Sequence, residues 1–193
     1  MKVIIIDYGA GNIKSIQFAF KRLGIDALLS NHPREILEAD KVIFPGVGEA
    51  SSAMKMLIKS KLNLVIPTFK QPVLGICLGM QLLCNDTEEG QTKGLGIFNV
   101  SVKRFPNQVK VPQMGWNRIT NLKSELFNGI SENEYMYLVH SYYAQNCIEA
   151  IATTNYGQIY TSALQKENFY GVQFHPEKSG YAGQKILKNF LEL

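Results

Sequence analysis

Cysteine is scarce in this chain, with Cys77, Cys84 and Cys147 the only three in 193 residues. An odd count without paired spacing gives no disulfide framework and fits a reducing compartment. With just His32, His140 and His175 beside them, these thiols do not reproduce zinc-ligand spacing, so no metal is expected. Long apolar runs are missing as well. No window approaches the roughly 18 apolar residues of a membrane span. The run after Lys2 ends at Asp7, too soon for a secretory leader. The expectation is a cytoplasmic protein that does not engage membranes. Charge of one sign is also in short supply, because 20 Lys and Arg against 16 Asp and Glu leave a formal net charge of +4. The lysines stand singly or in twos, with no basic stripe interleaved with aromatics, which argues against a nucleic-acid partner. Nucleotide loops fail on inspection. Gly9 and Gly11 follow an apolar run, but Lys14 occupies the third glycine position of a dinucleotide fingerprint. Leu29 and Ser30 stand where its acid belongs, and no Walker lysine loop occurs, so no cofactor is expected.

What is present is a core. The chain is 46% apolar, enough at this length for one α/β domain spanning residues 1–193. Residues 2–6, 25–29, 42–44 and 73–76 read as short strands, the β-branched ones buried on both faces. Between them Ile13, Ile16, Phe20 and Leu23, then Met54, Leu57 and Ile58, recur at helical spacing, and 77–84 has helical character. Strand and helix in alternation predict a mostly parallel central sheet flanked by helices. The rhythm then changes. Residues 97–104, 135–143, 148–153 and 159–164 alternate apolar with polar and predict an antiparallel extension. A last strand at 170–174 and a helix with Ile186, Leu187 and Phe190 inward complete the expectation.

The most informative segment is Gly75-Ile-Cys77-Leu-Gly79, straight after a buried strand and at the start of a helix. A nucleophile elbow needs small flanking residues, because backbones pass close on both sides. Such a turn exposes its side chain at the carboxyl edge of the sheet, where open α/β folds keep their sites. A helix start favours an anion, which makes a thiolate more available at neutral pH. The N–H of Leu78 would then face an oxyanion. Taken alone, the same pattern equally suits a small buried hydrophobe. Cys84 and Cys147 have no such setting.

A cysteine nucleophile needs a base, and His175-Pro176-Glu177 follows the last strand. Pro176 biases His175 toward extended backbone. Side chains two apart then share a face, so Glu177 can hold the imidazole tautomer. An isolated His-Pro-Glu could be an exposed loop, but its pairing with an elbow favours the triad Cys77–His175–Glu177. A serine nucleophile is disfavoured, since no Gly-x-Ser-x-Gly occurs.

These motifs, in this order, resemble the class I (triad-type) glutamine amidotransferases. Pro45-Gly46-Val47-Gly48 resembles that family's oxyanion loop, in which an N–H near Val47 or Gly48 completes the hole. Within the family the chain is most similar to the glutaminase subunits of imidazole glycerol phosphate synthases. The residues that carry this are Asp7-Tyr-Gly-Ala-Gly-Asn12, Pro112-Gln-Met-Gly-Trp-Asn117, His140-Ser-Tyr142 and Phe174-His-Pro-Glu-Lys-Ser179. The resemblance implies L-glutamine as substrate, held by Gly46, Gln81, Glu89 and the main chain of Ser141 and Tyr142. It also implies a heterodimer with a cyclase subunit facing Asn12, Trp116, Asn117 and Lys178. Glycines at 46 and 48 would let the oxyanion loop rest unproductively until that partner binds. A paralogue serving another synthase, a free-standing thiol hydrolase of γ-glutamyl bonds and a non-catalytic binding module remain as alternatives.

Overall fold

A computed structural model describes residues 1–9 and 12–193, so Ala10 and Gly11 of the early glycine motif lie outside the described residues. The first elements are β1 (Val3–Ile6), α1 (Ile13–Arg22), β2 (Leu28–Ser30), α2 (Pro33–Leu37) and β3 (Lys41–Phe44). Next come α3 (Ala50–Lys59), α4 (Leu62–Val65), β4 (Val73–Ile76) and α5 (Leu78–Leu83). The following stretch is mostly strand, with β5 (Cys84–Thr87), β6 (Thr92–Lys93), β7 (Phe98–Arg104), β8 (Gln113–Arg118) and β9 (Tyr135–His140). After these run β10 (Tyr142–Ala144), β11 (Ala150–Asn155), β12 (Ile159–Lys166), β13 (Phe169–Val172) and α6 (Gly180–Glu192).

Among the described residues an 11-stranded sheet has the order β2-β1-β3-β4-β13-β12-β10-β7-β5-β6, with β11 joined to β12. β2, β1, β3, β4 and β13 are parallel, whereas β12, β10 and β7 continue antiparallel. β8 and β9 form a separate antiparallel ribbon. Successive side chains on a strand point to opposite faces, and β1 uses both. Val3 and Ile5 pack with Phe20 of α1 and with Ile186, Leu187 and Phe190 of α6. Ile4 and Ile6 join Met54 and Leu57 of α3 and Leu62 of α4 on the other side. Each such isoleucine, fully buried, contributes about 2 kcal/mol.

The α/β class and the antiparallel extension agree with expectation, and the differences lie at element ends. The second strand begins at Leu28 rather than at residue 25, and Leu28 and Leu29 stay exposed because β2 is the end of the sheet. α3 buries Ala50, Ala53, Met54 and Leu57, which leaves Ile58 in solvent. The helix after the elbow stops at Leu83, and Cys84 starts β5. The last strand ends at Val172, two residues early. One pairing positions the site. β13 lies beside β4 with Val172 opposite Ile76, and the Cys77 N–H donates to the Val172 carbonyl at 2.8 Å. The segments leaving these two strands therefore emerge side by side at the carboxyl edge.

Candidate active site

Cys77 sits between β4 and α5 at φ 55°, ψ −111°, a backbone conformation that costs an L-residue on the order of 1–3 kcal/mol. The packing around it sustains that strain. A side chain at Gly79 would run into the Phe44 carbonyl oxygen, and one at Gly75 would lie 2.8 Å from Leu83 Cδ1. A Cβ at Gly46 would come within 2.6 Å of the Gly79 N atom. The three glycines let the ends of β3 and β4 close on the first turn of α5. Leu78 heads that helix, where its N–H has no intrahelical acceptor.

His175 follows β13 and is 3% exposed. Its Nδ1–H donates to Glu177 Oε1 at 2.8 Å, leaving Nε2 buried with no hydrogen-bond partner among the described residues. Burial alone would lower its pKa, but interactions with Cys77 and with the Glu177 carboxylate outweigh that and raise it to about 10. The turn is fixed to β9, because the His175 N–H donates to the Tyr137 carbonyl at 2.9 Å. The Ser179 hydroxyl donates to the His175 carbonyl at 2.7 Å and accepts from the Tyr137 N–H at 3.0 Å.

These groups open into a cavity of about 290 Å³. Val47, Gly48, Cys77, Leu78, Gln81, Glu89, Ser141, Tyr142, His175 and Lys178 all line it, so the structure brings together residues far apart in sequence. Glu89 Oε2 accepts the Ala50 N–H at the start of α3, at 2.9 Å. Burial raises the pKa of its carboxyl despite that bond. A carboxylate held there can attract an ammonium group entering the cavity. The carbonyls of Ser141 and Tyr142 are already engaged. That of Ser141 accepts the Phe105 N–H at 3.0 Å, and that of Tyr142 accepts Gln81 Nε2 at 2.9 Å.

The loop over Cys77 divides into a clamped and a free part. The Tyr8 hydroxyl donates to the Pro45 carbonyl at 2.8 Å, and Gly46 is wedged against α5. Burial, with Cys77 adding to it, keeps the Tyr8 phenol protonated well above its ordinary range. Gly48, by contrast, has φ +96°, and an added Cβ there would meet none of the described residues within 4 Å. Of the two glycines expected to permit a peptide flip, Gly48 has the room. Gly46, expected to touch substrate, lines a small side cavity with Asn12 and Glu177 and not the main one.

On the outer side Trp116 is 55% exposed, and its ring meets the Tyr137 ring edge-on at 6.0 Å. Tyr137 lies 6.5 Å from the His175 ring and beneath Lys178 Nζ at 5.9 Å. An aromatic contact thus runs from the surface to His175. Asn117 spends its carboxamide within the chain, donating to the Asn155 carbonyl at 3.0 Å and accepting the Arg118 N–H at 2.8 Å. The sequence reading missed Tyr8, Tyr137, Gln173 and the chemical state of His140. Burial, assisted by the nearby His175, lowers the His140 pKa to about 4, although its bond to the Tyr142 carbonyl opposes this. Gln173 had a visible signal, a polar residue between Val172 and Phe174 in an otherwise apolar strand end.

A buried cysteine on a strained turn, a histidine held by a carboxylate and a carboxylate at the far wall can together perform nucleophilic acyl transfer on a substrate carrying an ammonium group. A family model described as glutamine amidotransferase class-I matches residues 4–193. The chain is 53% identical over 196 residues to the imidazole glycerol phosphate synthase subunit HisH of Bacteroides fragilis (strain YCH46), covering all of both. It is 46% identical to the subunit of the same name from Yersinia pseudotuberculosis serotype I, again over both full lengths. A crystallised glutamine amidotransferase shares the fold at TM-score 0.74 and 18% identity, covering 98% of this chain and 97% of that one.

Proposed function

The chain belongs to the class-I glutamine amidotransferases, and on that premise we propose that it is the glutaminase subunit of an imidazole glycerol phosphate synthase. It acts in the cytoplasm in histidine biosynthesis, and residues 1–193 form one amidotransferase domain. The chemistry is supported by one observation: Cys77, His175 and Glu89 line the same cavity, and Glu177 holds His175 from behind at 2.8 Å. Glutamine enters with its ammonium toward Glu89 and its side-chain amide toward Cys77, between Gln81 and the 141–142 main chain. The thiolate attacks the amide carbon. The oxyanion is met by N–H groups of Leu78 and of Val47 or Gly48, each worth about 3 kcal/mol. The His175 imidazolium gives its proton to the departing nitrogen, so ammonia leaves and a glutamyl thioester remains. Water then loses a proton to His175 and attacks the thioester, releasing glutamate and restoring the thiolate.

The ammonia passes to a cyclase subunit bound on the side of Asn12, Trp116, Asn117 and Lys178. Gly48 gates the oxyanion loop until that partner docks. The test is glutamate release from glutamine by the purified chain, alone and with the cyclase subunit and its ligand. Strong stimulation by the cyclase is expected. Low activity without stimulation would assign the chain to a different synthase, and high activity alone would make it a free-standing hydrolase.

A further inference from the structure

The Cys77 sulfur has a neighbour outside the triad. Gln173, fully buried, follows β13 as Cys77 follows β4, so the two lie side by side across the parallel pair. Its Nε2 is 3.7 Å from Cys77 Sγ, and its Oε1 accepts Gln81 Nε2 at 2.8 Å. The polarity of this chain is not free. The Tyr142 carbonyl, which can only accept, takes Gln81 Nε2 at 2.9 Å and His140 Nδ1 at 2.7 Å. The amino end of Gln81 must therefore point that way, and the same amino group meets Gln173. An N–H facing an N–H would repel, so Gln173 turns its oxygen to Gln81 and its NH2 to the sulfur.

We propose that Gln173 is a further catalytic residue, a fixed hydrogen-bond donor to the sulfur of Cys77 that favours the thiolate over the thiol. A thiolate accepts that N–H with both charge and geometry satisfied, whereas a thiol gains much less from it. The same carboxamide ties the sulfur to Gln81 and to the 141–142 wall, so nucleophile and substrate-binding surface share one rigid frame. This rests on the glutaminase reading for its purpose but not for its test.

The test follows alkylation of Cys77 by iodoacetamide against pH, site by site, by mass spectrometry on the full chain. In the native protein Cys77 reacts faster than Cys84 and Cys147. If it does not, the assignment of Cys77 as nucleophile fails, separately from the role of Gln173. Gln173→Met is close in volume, adds no charge beside the sulfur and removes the donor to it. It moves the alkylation midpoint up by about one pH unit, with roughly tenfold slower reaction near neutrality. Gln81→Met leaves Gln173 in place but frees its orientation, and it gives a smaller shift in the same direction even if Gln173→Met fails to fold. A merely structural role would change thermal stability and leave the midpoint where it was. An unchanged midpoint in either folded variant overturns the proposal.

Discussion

At the scale of single residues, the two histidines of the site are pushed in opposite directions by their surroundings. His175 gains a carboxylate and a sulfur and is held protonated, while His140 is held neutral by burial, with the nearby His175 adding to it. The second has a consequence for stability. Folded, His140 protonates at about 4, against an ordinary value of 6.5. Between these values the unfolded chain binds the proton and the folded chain does not, so stability falls as pH drops through that window, by about 3 kcal/mol. Urea midpoints at pH 7 and pH 4.5 should show the loss, and His140→Gln should flatten it. Cys77→Ala tests the chemistry itself. It is expected to abolish glutamine-dependent synthesis and to leave ammonia-dependent synthesis by the cyclase intact. Loss of both would give the subunit a role beyond supplying ammonia.

At the scale of elements, the strand–elbow–helix unit is where backbone contact outweighs side-chain chemistry. Gly79→Ala adds one methyl group against the Phe44 carbonyl, and neither backbone can retreat without moving a central strand. A cost of about 3 kcal/mol is expected, with glutaminase activity falling more than stability, because Cys77 moves with the helix. Chemical denaturation and initial rates on the same preparation separate the two effects. The elbow was legible because its constraints are local, with the glycines at 75 and 79 announcing the turn. The parallel core was legible for the same reason, since runs such as Val3–Ile6 and Val73–Ile76 are apolar throughout. Short edge elements were not. β6 spans two residues and β5 four of mixed burial, too little pattern for any period to register. The β8 segment showed itself as a motif, Gln113-Met-Gly-Trp-Asn117, and its strand character depends on pairing with β9, a tertiary fact.

At the scale of the whole molecule, the β8–β9 ribbon stands apart from the main sheet and carries exposed Met114 and Trp116 on β8. Its other strand supplies Tyr137, which touches both His175 and Lys178. A central aromatic at a heterodimer interface typically carries about 2 kcal/mol or more. Trp116→Ala should therefore weaken binding of the cyclase at least tenfold by calorimetric titration, with the melting temperature nearly unchanged. Equal affinity would move the interface elsewhere. The site as an assembly was only partly readable, because which strands lie adjacent is decided by long-range packing. Cys77, His175 and Glu177 stood out as local motifs, whereas Tyr8, Tyr137 and Gln173 make contacts with neighbours that no local window contains. That adjacency also bears on how the protein is made. β13 lies deep in the large sheet, between parallel β4 and antiparallel β12, yet among the described strands it is synthesised last. Until the ribosome releases it, β4 has an open flank of unpaired amides and carbonyls, and Cys77 has no His175 beside it. A nascent chain is therefore vulnerable to mispairing for most of its translation, and by the proposed mechanism its competence toward glutamine arrives in the same late step that closes the sheet.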